Sequence, residues 1–302
     1  MNLSLSTMWW GEEEADCFEW AGRTRELGLT AVELEYRRSA AGLPRLRRAL
    51  AEYELRVSSL HAPFPRPEDE GDPLQLADLA AEDEEARRYA EHLVARTLEE
   101  AAHWGAGVVV LHAGNIRSLH PLEGELAALY RAGRKDGEFR RLWEELRRGR
   151  FVEAPRRLEW VREALGRLAV RARDLGVVIG LENRADYRDL PSPEEMGLLL
   201  EEFGPEVGFW YDVGHAYRLE ALGFYPQAVW LERYGGRLVG VHLHDSRGLS
   251  DHRPPGTGEV PFGRLLPLLP AQGLRVLEVQ HGYRSEELSQ GLDVLRAAGV
   301  LA

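Results

Sequence analysis

A chain of 302 residues that is 44% hydrophobic has ample apolar material for one large buried core. Its 38 Lys and Arg against 50 Asp and Glu leave a formal charge of -12, which disfavours a long polyanion as partner, because nucleic-acid affinity comes largely from a basic surface that releases counterions. Cys17 is the only cysteine and Lys135 the only lysine, which excludes an intrachain disulfide and disfavours Schiff-base or pyridoxal chemistry, since Lys135 lies in a charged segment outside any strand pattern.

The opening MNLSLSTMWWGEEE lacks a basic leader region and a long apolar run, so no signal peptide is expected. No stretch approaches the ~20 apolar residues of a membrane span. The expectation is a soluble, cytoplasmic protein. Short apolar runs then alternate with longer stretches of helical spacing, the pattern of βαβ units and a parallel sheet. The first strand is expected at Leu3–Thr7 and the second, after Gly28, at Ala31–Tyr36. Helical spacing at Leu43, Leu46 and Leu50 leads to a third strand at Arg56–His61, and Gly105 precedes a fourth at Gly107–His112.

The segment Asn115–Ala154 breaks the rhythm. It is dense in Arg and Glu and reads as one or two amphipathic helices, with Leu126, Leu129 and Tyr130 in the first and Phe139, Leu142, Trp143 and Leu146 in the second. As a β→α excursion it is expected above the barrel mouth, as a lid over a site, a solvated excursion or a subunit contact in a homo-oligomer. Spacing at Leu158, Val161, Leu165 and Leu168, then Gly176, leads to strands at Val177–Glu182, Val207–Asp212, Leu238–His244 and Leu274–Val279. Eight such units predict an α/β fold: one (β/α)8 TIM barrel over residues 1–302, with a charged helical insertion at about 115–154.

Ionisable residues fall at the C-terminal ends of six consecutive strands. His61 closes the apolar run in VSSLHAPF, His112 that in VVVLHAGN and Glu182 that in VVIGLENR; Asp212 and His215 lie in FWYDVGHAY, His242 and His244 in VGVHLHDS, and Glu278 in RVLEV. Singly, such a residue is more often a strand-end group satisfied by caps or water. Six in register form a ring at the mouth where enzymes of this fold keep their chemistry. Carboxylates converging in a low-dielectric cup repel one another, and a divalent cation is the usual compensation. Mixed imidazole and carboxylate donors suit zinc, manganese or cobalt, with magnesium suiting a carboxylate-rich subset. His92, His103, His120 and His281 lie outside the pattern and are assigned no role.

At these residues the sequence resembles the xylose isomerase-like barrel superfamily, which includes sugar isomerases and epimerases, inosose dehydratases and endonuclease IV-type apurinic endonucleases. The resemblance covers the chain apart from the 115–154 insertion and is most specific in LENR, DVGHA, and HLHDS followed by DHRPPGTGEVPF. It implies a core metal site of Glu182, Asp212, His242 and Glu278, and a second site formed by His61, His112 and a bridging Glu182. His215 matches a residue that contacts substrate in ketose epimerases and holds a third metal in the endonucleases, and His252 matches another third-metal histidine. The endonucleases carry an Asp two residues before that histidine; here the position is Ser250, and the carboxylate is next door at Asp251. His244, on the same side of its strand as His242, is expected to contact substrate. The loop Gly256–Glu259 supplies freedom for a tight return and admits a phosphate-cradling role.

Two chemistries follow as expectations. In the first, an isomerase or epimerase of a sugar, polyol or sugar phosphate, Glu182 and Glu278 shuttle a proton while His215 and Arg184 orient hydroxyls; Trp9 and Trp10 form an apolar wall for the sugar or pack the barrel mouth. In the second, a phosphoesterase with two or three metals activates a hydroxide, drawing on His61, His112 and His252. A non-catalytic ligand- or metal-binding barrel is the remaining class. The partner expected is a small sugar-like molecule, with neither nucleic acid nor membrane.

Overall fold

Strands covered on both faces need apolar residues at consecutive positions. Val108–Leu111 and Val207–Asp212 meet that demand: every residue in both is buried. The computed structural model describes residues 3–11, 16–69 and 71–300. Eight strands close into one barrel: β1 Leu3–Ser6, β2 Ala31–Leu34, β3 Arg56–His61, β4 Val108–Leu111, β5 Val178–Glu182, β6 Val207–Asp212, β7 Leu238–Leu243 and β8 Leu274–Leu277. All neighbours run parallel, including the closing pair, where Leu3 of β1 faces Arg275 of β8. The eight expected strands are all present, six of them shorter by one or two residues, mostly where the chain leaves the ladder for the loops of the mouth.

The helices wrap this barrel in sequence order: α1 Cys17–Glu26, α2 Leu43–Glu52, α3 Glu84–Trp104, α4 His120–Arg131, α5 Gly137–Leu175, α6 Pro193–Glu202, α7 Val213–Ala221, α8 Ala228–Tyr234 and α9 Ser285–Ala297. Local signals set their ends. The Asp83 carboxylate accepts from the Ala86 amide at the start of α3, and Gly105 at φ 70° ends it in the left-handed conformation. No helix among the described residues is long and apolar enough to cross a membrane.

Inside the barrel, Val108, Val110, Trp210 and Val276 pack as a cluster separate from the main core. They come from β4, β6 and β8, the alternate-strand layering that fills such barrels. The Trp210 ring needs room: a Cβ at Gly240 would overlap it. This layer forms the floor beneath the mouth, and Trp210 meets the His242 ring edge-on at 4.9 Å.

The excursion after β4 differs from expectation in its boundary. The helix expected to close near Ala154 runs on as α5, 39 residues long, with Pro155 inside it. Proline removes a helical hydrogen bond, so the surroundings must hold the helix through that point. Buried arginines do so on both sides of it. Arg150 forms a bidentate pair with Glu195 at 2.7 and 2.8 Å and donates to the carbonyls of Tyr187 and Asp189. Arg157 donates to the Ala80 carbonyl at 2.8 Å and to Glu82 at 2.6 Å.

Candidate metal centre

The C-terminal rim of the barrel gathers its donors by strand register. Asp212 lies directly beside His242 in the β6–β7 ladder, and Val276, two residues before Glu278, lies beside the same histidine in the β7–β8 ladder. Glu182 ends β5. All four side chains are buried.

His242 is the hub. Its Nδ1 lies 3.0 Å from Glu182 Oε1, 3.3 Å from Glu278 Oε2 and 3.5 Å from Asp212 Oδ2. Its Nε2 donates to Glu33 Oε1 at 3.0 Å, which turns the other nitrogen toward the three carboxylates. Glu33 is held in turn by the Ser59 hydroxyl at 2.8 Å. Four buried carboxylates within reach of one imidazole demand positive charge. Burial opposes a charged imidazole, but Glu278 and Glu33 raise His242 well above the ordinary histidine range. Burial pushes Glu278 up to about 7, with the neighbouring Asp212, Glu33 and Glu182 adding to the shift despite His242. Protons thus substitute for a cation. A divalent ion would displace them, and a set of one nitrogen and three carboxylate oxygens fits zinc or manganese.

A second group shares Glu182. His112 Nε2 is 2.5 Å from Glu182 Oε2, and His61 Nε2 is 3.8 Å from the same oxygen. His61 Nδ1 donates to the Ala62 carbonyl at 3.0 Å, which turns its Nε2 inward toward Glu182. The donor atoms of His61, His112 and Glu182 all lie within 4.8 Å of one another. Arg184 enters this group: its Nη1 is 2.7 Å from His112 Nε2 and 3.2 Å from Glu182 Oε2.

A third group, His215, His244 and His252, also has ring nitrogens within 4.8 Å of one another. His252 reaches it because a hairpin of Asp245–Arg247 with Ser250–Arg253 follows β7, and His252 takes φ 52° there. Its buried Nδ1 has no hydrogen-bond partner, with Glu278 Oε2 at 3.4 Å. His244, expected to face substrate, instead has both ring nitrogens engaged inside the protein. Nδ1 accepts the His252 amide at 2.9 Å, and Nε2 donates to Asp212 at 2.9 and 3.0 Å. A Cβ at Gly214 would overlap the His244 ring, so DVGHA leaves the room that this contact needs. Asp251 is taken by Arg218 at 2.7 Å.

A cavity of about 230 Å³ opens above the cluster, lined among others by His61, His112, Glu182, Arg184, His215 and Glu278. It is smaller than the 300–1,000 Å³ typical of drug-sized ligands and matches a small polar molecule. Tyr36, Asp186, Asp189 and Arg218 also line it and were not singled out from the sequence. Neither was Glu33. The signal for Glu33 lay in AVELEY, where a carboxylate stands inside a strand that is buried on both faces, a place such residues rarely occupy unpaired.

At three places the geometry bears on readings left open by the sequence. Trp9 and Trp10 do not line the cavity: Trp9 Nε1 donates to the Tyr283 carbonyl at 2.8 Å, and Trp10 stacks on Trp20. Met8 takes the lining position from that segment. The 115–154 segment contributes no lining residue among those described; it braces the loop after β5, where Glu123 accepts the Tyr187 amide at 2.5 Å and Trp143, Phe224 and Tyr187 stack in a row. The Gly256–Glu259 loop cradles an internal anion: the amides of Gly256, Gly258 and Val260 all donate to the Asp245 carboxylate at 2.8–3.0 Å. His92, His103 and His120 are exposed.

A family model described as a xylose isomerase-like TIM barrel matches residues 22–298. No curated protein matches the chain in sequence. Among solved structures, a D-tagatose 3-epimerase-like protein is 19% identical with a TM-score of 0.69, covering 99% of this chain and 97% of its own. A 3-keto-D-glucoside 4-epimerase from E. coli is also 19% identical at a TM-score of 0.69, with 98% and 99% covered. A Thermus thermophilus protein soaked with zinc chloride is 24% identical at a TM-score of 0.62, with 99% and 98% covered. At such identities the likeness speaks for the fold.

Proposed function

The chain belongs to the xylose isomerase-like TIM barrel family, and from that premise we propose that it is a metal-dependent isomerase or epimerase of a small, uncharged sugar or polyol. One observation carries this reading: Glu182, Asp212 and Glu278 converge on the inward nitrogen of His242 at 3.0–3.5 Å, directly below a small polar cavity. Similarity in fold to proteins named as D-tagatose 3-epimerase-like and 3-keto-D-glucoside 4-epimerase supports the substrate class.

Glu182, Asp212, His242 and Glu278 would hold a divalent ion, which would supply Lewis acidity to the substrate's oxygens. The chain's own groups do the rest. Glu182 on β5 and Glu278 just past β8 both line the cavity. One would take the proton from the substrate carbon and the other return it. His244 fixes Asp212, and Glu33 fixes His242. His215, Arg184 and Tyr36 present polar atoms to the hydroxyls. Two features favour an unphosphorylated substrate. The Gly256–Glu259 amides are occupied by Asp245, and the cavity arginines Arg184 and Arg218 already face Glu182 and Asp251.

The test is hydrogen exchange. D-Tagatose, D-psicose and D-fructose are incubated in D2O with the Mn2+- or Zn2+-loaded protein and followed by NMR. Deuterium is expected at the carbon beside the carbonyl, and Glu182→Gln should abolish it while leaving the circular dichroism spectrum unchanged. Exchange at the wild-type rate in that variant removes Glu182 from the proton transfer. The His61, His112 and Glu182 group favours a second reading, multi-metal phosphoester hydrolysis. Nicking of an abasic duplex without any ketose exchange would select it.

A further inference from the structure

We propose that Arg184 is a built-in cation standing where a second metal ion would bind, so that each barrel takes up a single divalent ion. The inference rests on the metal-dependent reading above and assigns the ion count at the same site.

Glu182 divides its two oxygens between two neighbourhoods. Oε1 faces the core set, 3.0 Å from His242 Nδ1. Oε2 faces His112 at 2.5 Å, His61 at 3.8 Å and Arg184 Nη1 at 3.2 Å. In the second neighbourhood, His61 donates its Nδ1–H to the Ala62 carbonyl, which turns Nε2 inward toward Glu182. These three groups would suffice for a cation. The guanidinium already fills that role. Its Nη1 lies 2.7 Å from His112 Nε2 and therefore spends an N–H on the lone pair that a metal would need. It is 3.4 Å from His215 Nδ1 as well.

The arginine is held from outside too. Asp189 Oδ2 lies 3.8 Å from its Nε, and only 16% of its side chain is exposed. A guanidinium keeps its charge at every relevant pH, so it cannot yield by losing a proton. A divalent ion between His61, His112 and Glu182 would sit against a fixed like charge. The core set has no such intruder: none of the Arg184 contacts involves Glu182 Oε1, Asp212 or Glu278.

The experiment counts ions. Wild type and Arg184→Met are saturated with Mn2+, freed of excess metal and assayed by elemental analysis and electron paramagnetic resonance. One isolated ion per chain is expected in wild type, and two, spin-coupled through Glu182, in Arg184→Met. Adding His61→Ala should return the variant to one. Arg184→Lys, which keeps a cation, should also hold one. A coupled pair in wild type overturns the proposal, and that measurement stands even where Arg184→Met does not fold; Arg184→Gln then serves as the neutral variant. One ion in wild type and also in the neutral variant overturns the proposal alone. No ion in a cooperatively folded wild type overturns the metal-dependent reading and this inference with it.

Discussion

His242 can turn a lone pair toward three carboxylates only if its other nitrogen holds a proton, and Glu33 is the group that keeps it there, 3.0 Å away. Partners of this kind typically contribute 10–100-fold to metal affinity. Glu33→Gln should therefore weaken Mn2+ or Zn2+ binding by about 10–100-fold, measured by competition with a chromogenic chelator, with the far-ultraviolet circular dichroism unchanged. Affinity equal to wild type would show that the imidazole is oriented without it. The rim donors were legible in the sequence because each ends an apolar run, so strand pattern and chemistry point to the same residue. Glu33 was not. In AVELEY both Glu33 and Glu35 alternate with apolar neighbours, and only the closed barrel shows that Glu33 meets His242 while Glu35 pairs with Arg37 and Arg38. His244 lies one residue past β7 and not on it, and its engagement with Asp212 and with a backbone amide eight residues later is something no local pattern reveals.

Among the elements, the paired excursion α4–α5 holds the loop after β5 through hydrogen bonds. Glu123 on α4 accepts the Tyr187 and Arg188 amides. Burial first, then the nearby Asp186 and Asp189, push its carboxyl up to about 8. A carboxyl with a raised folded-state pKa binds its proton more tightly in the native protein than in the unfolded chain. Its contribution is complete below the ordinary value of 4.5 and fades as pH rises toward about 8. The melting temperature of wild type should accordingly fall across that window, and that of Glu123→Gln should fall less steeply. Identical slopes by differential scanning calorimetry would remove Glu123 from this account. The sequence pattern after β4 reads as one or two amphipathic helices, and two are present. It misplaced the end of the second at Ala154: the helix continues through Pro155, and the buried Arg150 and Arg157 contacts that carry it past that point are tertiary.

For the whole molecule, the fold was the most legible feature, since eight strand runs separated by helical spacing admit few closed topologies. The cavity was less so: its size depends on which loop residues turn inward, as Met8 does while Trp9 and Trp10 do not. A cation binding the native state alone should add about 2.7 kcal/mol at a free concentration near 100 times its Kd. Loading with Mn2+ should raise the thermal midpoint of the chelator-treated protein, and an unchanged midpoint at saturation would count against a native-state ion. The candidate core ligands come from β5, β6, β7 and the end of β8, and the carboxylate behind them from β2. An ion gripped that way has no single gate. It can depart only when donors from separate staves of the cask let go together, so its rate of escape into a scavenging dye would clock how often they do.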